Sequence, residues 1–313
     1  DTGGHVFASL GIGSSSDVST VVRWTGRAWV TLPDTANGGY ATIAGMAGDS
    51  LGNMYACGSF GASPGVAKWD GTGWTMIPSA SSRLTINSVN HVATDKKGNV
   101  YFSGSFVLNG YLYNLAKWNG SVWTAFVNAD IFNFIVDPGG TIYAAYADYS
   151  NSGYNVLKIE GNTVTDIGLT GSQLRALNAT NWIQALAMDG SGNLYAAGSL
   201  SDGNNNVFVS KWDGANWTVL GTDTNAFAAV GAINAMAFDG NGNLFAGGNL
   251  IKYSQTYIGK WNGNSWSTVG DATEFWTQLD LGFLARDGRG NIYADVANNV
   301  YKYIGGQLAP PPL

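Results

Sequence analysis

The chain has 313 residues, of which 12% are charged and 45% hydrophobic, and it contains 44 glycines. This composition is typical of a β-protein rich in core positions and turns. The net charge of −6 gives no attraction for phosphate backbones, and no apolar run is long enough to cross a membrane, so neither nucleic acid nor a membrane span is expected.

A repeated cassette organises the whole sequence. It reads Asp-x-x-Gly-Asn-x-Tyr, then a variable stretch, then Lys-Trp-x-Gly-x-x-Trp. It occurs seven times at intervals of 42 to 52 residues, beginning at Asp1, Asp49, Asp95, Asp137, Asp189, Asp239 and Asp287. A period of this length with strand patterning predicts an all-β, seven-bladed β-propeller. We expect one propeller domain over residues 1–309 and a proline-rich tail over 310–313.

Each cassette predicts four short strands, A to D. Strand A precedes the Asp, as in Ile183–Met188, and strand B follows it, as in residues 193–197. Strand C carries the first Trp and strand D the second, with a two-residue type I′ turn such as Thr25-Gly26 between them. In the first unit no strand A precedes Asp1, so the first blade is expected to lack its inner strand.

The paired tryptophans of strands C and D are predicted to pack between blades. A turn at Thr25-Gly26 would place Trp24 opposite Arg27, and both Trp of the unit would then share one face of the blade. Units four and seven carry Ile159 with Val164 and Tyr303 with Leu308 in these positions. The structural tryptophans are Trp24, Trp29, Trp69, Trp74, Trp118, Trp123, Trp212, Trp217, Trp261 and Trp266.

A basic residue precedes the first Trp slot in every unit. Together with the cassette Asp it predicts repeated structural ion pairs or turn caps, while a ring that binds an anion is the alternative. The residues concerned include Asp49, Asp95, Asp189, Asp239, Asp287, Lys68, Lys117, Lys211 and Lys260.

Segments such as Asp189-Gly-Ser-Gly-Asn-Leu-Tyr-Ala-Ala-Gly and Asp287-Gly-Arg-Gly-Asn-Ile-Tyr-Ala-Asp resemble the repeats of NHL-like and related secreted bacterial propellers. The resemblance covers the whole chain. It implies the architecture only, because such propellers include lectins, lyases, lactonases and scaffolds. Secretion is also compatible with the sequons at Asn119, Asn178 and Asn216 and with a chain that opens at Asp1 without Met.

Few residues in the chain are suited to catalysis or metal binding. His91 is the one plausible channel histidine, because His5 falls in a turn position. Cys57 stands where other units have Ala197 and Gly247, so a buried free thiol is expected. The segment 239–243 resembles a calcium loop but lacks the acidic residue at its twelfth position. The sequence predicts no enzyme, no cofactor and no metal.

The long B-to-C and D-to-A connections all fall on one face of the propeller, the long-loop face, which is the candidate ligand face. Its aromatic residues suit sugar rings or a protein surface, and they suit loop packing equally well. Tentative ligand-binding residues are Trp182, Trp276, Tyr149, Tyr253 and Tyr111.

The sequence is compatible with three functions. The first is a non-catalytic, secreted scaffold or adhesive unit that self-assembles into oligomers or filaments, because an open first blade invites a donor strand. That gap could equally be filled by residues before Asp1, or the blade could close with three strands. Residues near Leu308–Leu313 could serve as donor or latch. The alternatives are a carbohydrate-binding lectin and a lyase or hydrolase that uses His91.

Overall fold

A computed structural model gives the fold. It describes residues 5–11, 19–33, 41–61, 63–78, 84–149, 153–168, 182–200, 206–221, 230–252, 255–256, 258–269, 281–296 and 299–309. These residues form 28 strands and contain no helix. The chain divides into two compact units, the first of Asp1–Tyr143 with Ile159–Thr163 and the second of Ala144–Lys158 with Val164–Pro312.

The strands of the first three blades and of the fourth are β1 (Val6–Gly11), β2 (Ser19–Trp24), β3 (Trp29–Thr31), β4 (Ala41–Gly48), β5 (Met54–Phe60), β6 (Ser63–Trp69), β7 (Trp74–Met76), β8 (Leu84–Thr94), β9 (Val100–Leu108), β10 (Tyr111–Trp118), β11 (Trp123–Val127), β12 (Ile131–Val136), β13 (Ile142–Asp148), β14 (Gly153–Glu160) and β15 (Thr163–Asp166). Those of the last three are β16 (Ile183–Met188), β17 (Leu194–Gly198), β18 (Ser210–Trp212), β19 (Trp217–Val219), β20 (Val230–Phe238), β21 (Leu244–Lys252), β22 (Gln255–Thr256), β23 (Ile258–Trp261), β24 (Trp266–Val269), β25 (Leu281–Arg286), β26 (Ile292–Val296), β27 (Asn299–Ile304) and β28 (Gln307–Ala309).

The fold is the predicted seven-bladed β-propeller of antiparallel, four-stranded blades. Strand order within a blade follows the chain, as in β16-β17-β18-β19 and β25-β26-β27-β28. The short strand β22 adds to β21 in the sixth blade. The first blade contains three strands, β1 to β3, and one residue pair, Ser19 with Ala41, joins it to the second blade.

The first strand of each four-stranded blade is its innermost strand. These strands lie side by side in successive blades: β4 with β8 in the first unit, and β16 with β20 and β20 with β25 in the second. Because blades radiate from an axis, the strands that approach each other most closely between blades are those nearest the axis.

The cassette Asp builds the turn between strands A and B. Oδ1 of Asp49 accepts the backbone N–H groups of Leu51 and Asn53, both at 2.9 Å, and Oδ2 accepts the Asn53 amide and the Tyr55 hydroxyl. The same pattern recurs at Asp95, Asp189 and Asp287 and, without a Tyr, at Asp239. The turn-cap alternative therefore describes these Asp residues, and the spacing Asp-x-x-Gly-Asn-x-Tyr has a structural explanation.

The basic residue of the cassette lies over the ring of that Tyr. The ammonium groups of Lys68, Lys117, Lys211 and Lys302 lie 5.6 to 6.0 Å from the ring centroids of Tyr55, Tyr101, Tyr195 and Tyr293. Lys260 lies 5.7 Å from the centroid of Phe245. These contacts are cation–π interactions, and the repeated Asp therefore bonds to Asn and Tyr while the Lys contacts the aromatic ring.

The tryptophan pairs lie across the C–D hairpins and between blades. In five blades the paired ring centroids are 4.9 to 5.6 Å apart. The indole N–H of Trp217 donates to the Ile167 carbonyl at 3.0 Å, and that of Trp266 donates to the Leu220 carbonyl at 3.2 Å. Each of these bonds joins one blade to the blade before it.

The C–D turn was predicted one residue too early, so the predicted partner of each strand C residue was wrong by two residues. Trp24 pairs with Trp29, not with a residue next to the turn, and the same holds for Trp69 with Trp74. The two turn residues are Gly71-Thr72 and their equivalents, with Gly at positive φ. The reason is the side chain before the glycine: Oδ1 of Asp70 accepts the N–H groups of Thr72 and Gly73, which moves the turn one residue toward the C-terminus.

Candidate ligand-binding face

The long-loop face carries the exposed aromatic side chains. Tyr149 is 77% exposed, Tyr111 70% and Trp182 50%. Exposed apolar residues mark an interaction site where they form a contiguous patch, so the question is which of these aromatic residues lie together. Trp276 and Tyr253, which the sequence also singled out, lie outside the described residues.

Trp182 forms part of an aromatic pair in the second unit. Its ring centroid is 5.8 Å from that of Tyr154, and the planes are tilted by 37°. Trp182 immediately precedes β16 and Tyr154 lies at the start of β14. We call Tyr149, Tyr154 and Trp182 the aromatic surface.

The backbone under Trp182 is held in place by β17. The Trp182 carbonyl accepts the N–H of Ser199 at 2.9 Å. A Cβ at Gly198 would lie 1.9 Å from the same carbonyl oxygen, so only glycine allows this close approach. The Trp182 backbone is therefore held against β17, as the equivalent backbone is held at Gly58 and Gly248 in other blades.

A polar cluster in the same blade as Tyr154 escaped the sequence analysis. The Tyr146 hydroxyl and the Asn155 amide both donate to Oδ2 of Asp166, and Oδ1 of Asp166 accepts the Gly168 N–H. Asn155 is 1% exposed, and its Oδ1 is buried without a hydrogen-bond partner. The signal was present, because Tyr146 occupies a cassette position filled by Gly58, Gly104, Gly198 and Gly248 in other units.

His91 lies in the innermost strand β8, opposite Ser103 of β9. Burial lowers the pKa of His91, and a hydrogen bond with the Phe132 backbone partly offsets that shift. The imidazole is therefore neutral at pH 7 and packs between inner strands of the first unit. Its use in catalysis stays a prediction.

The other predicted sites have structural surroundings. Cys57 is fully buried, and burial raises the pKa of its thiol to about 12. Both carboxylate oxygens of Asp239 accept hydrogen bonds from its own turn. Among the described residues, no three His, Cys, Asp or Glu side chains group to hold a metal ion.

Comparison with known proteins supports the architecture. No family model and no curated protein matches the sequence, so the resemblance to NHL-like repeats gains no support at family level. Among solved structures, PorZ, a bacterial surface component of the type-IX secretion system of Porphyromonas gingivalis, is 13% identical with a TM-score of 0.64. The match covers 96% of this chain and 45% of PorZ, so the chain spans less than half the length of that protein.

Two enzymes share the fold. A puromycin hydrolase is 12% identical over 99% of this chain and 52% of its own length, with a TM-score of 0.68. A Niastella koreensis GH74 enzyme is 16% identical over 98% of this chain and 52% of its own, with a TM-score of 0.64. The expectation that the chain is not an enzyme is therefore overturned, because hydrolases have this same fold. At these identities the likeness shows the fold alone.

Within the described residues, no helix is long and apolar enough to span a membrane.

Proposed function

We propose that the chain is a secreted or cell-surface β-propeller that binds carbohydrate on its long-loop face, over the aromatic surface. The observation that carries this proposal is the pair Trp182 and Tyr154, whose rings are 5.8 Å apart while Trp182 is half exposed. The surface location is supported by the sequons and by the fold shared with PorZ.

The chemistry of the aromatic surface suits a sugar better than a charged ligand. An indole and a phenol offer flat apolar faces with polar edges, which matches the alternating apolar and hydroxyl surfaces of a pyranose ring. Gly198 and Ser199 hold the backbone at Trp182 in place, which lowers the ordering cost of binding.

The test is binding to an array of uncharged glycans. We expect the parent protein to bind at least one glycan and Trp182→Ala to lose that signal. Val122→Ala is the control, because Val122 is an apolar residue exposed to a similar degree, 58%, in a short C–D turn and not on the long-loop face. Absence of any glycan binding, or equal binding by Trp182→Ala, would contradict the proposal.

A second candidate is a scaffold or adhesive unit that assembles by strand complementation. β1 pairs with β2 along one edge, and no strand of the described residues pairs with its other edge. An open edge accepts an extended segment. That segment would come from residues before Asp1 in a longer protein or from a second copy, and only the second source produces assembly.

The sequence-based idea that residues near Leu308–Leu313 donate this strand needs correction. Residues 307–309 form β28, which pairs with β27, and Leu308 is 6% exposed in the core of the seventh blade. Sedimentation of the chain from Asp1 tests assembly: a mass that grows with concentration supports it, and a monomer at every concentration contradicts it.

A further inference from the structure

One edge of β1 corresponds to the edge that an inner strand covers in the other blades. In the seventh blade, for example, the inner strand β25 pairs with β26, the strand equivalent to β1. Within the described residues, β1 pairs with β2 alone. Alternate residues of an edge strand direct their N–H and C=O groups away from the paired neighbour, so this edge of β1 can accept one more strand.

Three apolar side chains beside this edge are only half-buried. Phe7, Ile43 and Met46 pack against the buried cluster of the first two blades, and all three remain partly accessible. At the same positions in the fifth and sixth blades the exposed fractions are 6% for Tyr195, 0% for Ile233 and 8% for Met236. There Ala185 and Ala187 of the inner strand β16 belong to the same buried cluster. A strand placed on β1 would cover Phe7, Ile43 and Met46 in the same way.

The six inner strands of the chain share a residue pattern, counted back from the cassette Asp. The sixth residue before the Asp is always branched and aliphatic: Ile43, Val89, Ile131, Ile183, Ile233 and Leu281. The third residue before the Asp is always apolar, and the second is Ala in five of the six strands. A strand that fits the equivalent place in the first blade should carry this pattern, because it meets the same kind of neighbours.

Leu10 limits the length of such a strand. The equivalent residue is glycine in four blades: Gly58, Gly104, Gly198 and Gly248. A Cβ at these glycines would lie 1.9 to 2.4 Å from the carbonyl oxygen of the seventh residue before the cassette Asp. The Leu10 side chain therefore excludes an inner strand that continues in this way.

The seventh blade shows the alternative. It has Val296 in place of the glycine, and its inner strand β25 has six residues and begins at Leu281, which pairs with Val296. Val296 is 6% exposed, whereas Leu10 is 42% exposed. A strand on β1 should therefore also have six residues, with the first opposite Leu10 and the last opposite Val6.

We propose that the free edge of β1 is an acceptor for a six-residue β-strand of another polypeptide, with a branched aliphatic residue first, an apolar residue fourth and Ala fifth. This inference rests on the second candidate function, strand complementation, and adds the length, register and residue pattern of the donor. The fifth donor residue lies opposite Phe7, and the third and fifth face Ile43 and Met46 of β4. Backbone hydrogen bonds provide the affinity of such added strands, and alternate side chains provide the specificity.

The experiment is fluorescence anisotropy of a labelled peptide with the sequence of Ile183–Met188, added to the chain from Asp1. This sequence has the pattern and occupies the equivalent edge in the fifth blade. We expect saturable binding. Leu186→Asp in the peptide should weaken it at least about tenfold, because a charge replaces an apolar contact. Leu10→Asp in the protein should have a similar effect. Leu51→Asp is the matched control, because Leu51 is 81% exposed in a turn of the second blade.

Hydrogen exchange shows where the peptide binds. The amides of β1 that point away from β2 should gain protection when the peptide is added. A chain with the same six residues fused directly ahead of Asp1 should no longer bind the free peptide. Absence of saturable binding, equal binding by Leu10→Asp, or unchanged exchange in β1 would overturn the acceptor site.

Sedimentation separates this inference from the second candidate function. A mass that grows with concentration, without peptide binding, overturns the proposed donor pattern and leaves assembly standing. Peptide binding by a chain that stays monomeric supports the acceptor site and contradicts self-assembly.

Discussion

Truncating Trp217 should destabilise the propeller more than any other single tryptophan change in its blade. Trp217 is 2% exposed, its ring centroid is 5.5 Å from that of Trp212, and its indole N–H donates to the Ile167 carbonyl at 3.0 Å. Replacing a buried Trp by Ala costs about 3 to 5 kcal/mol. The Ile167 carbonyl would also lose its partner, at about 1 kcal/mol more. We therefore expect Trp217→Ala to lower the free energy of unfolding by about 4 to 6 kcal/mol.

Two companion variants separate the packing of Trp217 from its hydrogen bond. Trp217→Phe keeps an aromatic ring but loses the N–H, and should cost about 1 to 3 kcal/mol. Trp212→Ala removes a half-buried ring and should cost less than Trp217→Ala. The free energies come from urea unfolding followed by circular dichroism, with the denaturant slope checked for each variant. A loss below about 1 kcal/mol in Trp217→Ala would refute the placement of this tryptophan between blades.

Three further predictions concern the repeat, the thiol and the tail. Burial raises the pKa of Asp189, but hydrogen bonds from Asn193, Ser191 and Tyr195 outweigh it and lower the pKa below that of the unfolded chain. This stabilisation is present above about pH 4 and is lost as the pH falls through the folded-state pKa. Between pH 5 and 3 the free energy of unfolding should therefore fall less in Asp189→Asn than in the parent. Cys57 should react with a thiol reagent only after denaturation, since it is buried with a raised pKa, and fast native labelling would contradict its position. Deleting residues 310–313 should leave the melting temperature unchanged, whereas deleting 307–313 should lower it, because only the longer deletion removes β28. Equal melting temperatures for the two variants would show that β28 does not stabilise the fold.

The architecture could be predicted because the repeat consists of residue types with strong preferences for particular turns and strand positions. Gly at the turns, Trp at paired positions and a regular period together determine strand order and blade number. The first strand of the fifth blade, Ile183–Met188, was predicted to the residue. The missing inner strand of the first blade also followed from the position of Asp1 relative to its cassette.

The predictions that were wrong, the position of the C–D turn and the partner of the cassette Lys, depend on which groups a side chain binds in the folded protein. Whether Asp70 or Gly71 begins the turn depends on the hydrogen bonds that two backbone N–H groups donate to the Asp70 carboxylate. The spacing of residues in the sequence does not reveal these bonds. The contact partner of Lys68 could not be predicted from the sequence either. Oδ2 of Asp49 accepts hydrogen bonds from Asn53 and Tyr55, and the Lys68 ammonium group lies over the Tyr55 ring.

The candidate site was only half visible in the sequence. Trp182 stood out because the repeat does not explain it. Its contact with Tyr154 did not, because it joins residues of two different blades.

The most direct test of carbohydrate binding over the aromatic surface is fluorine NMR of protein labelled with 5-fluorotryptophan. The chain has 12 tryptophans, and Trp182→Phe identifies the resonance of Trp182 by its disappearance. On titration with the uncharged glycan selected on the array, we predict that the Trp182 resonance shifts and saturates while those of the buried pair member Trp217 and its equivalents stay in place. A titration that moves other tryptophan resonances and leaves that of Trp182 unchanged would contradict the proposed site.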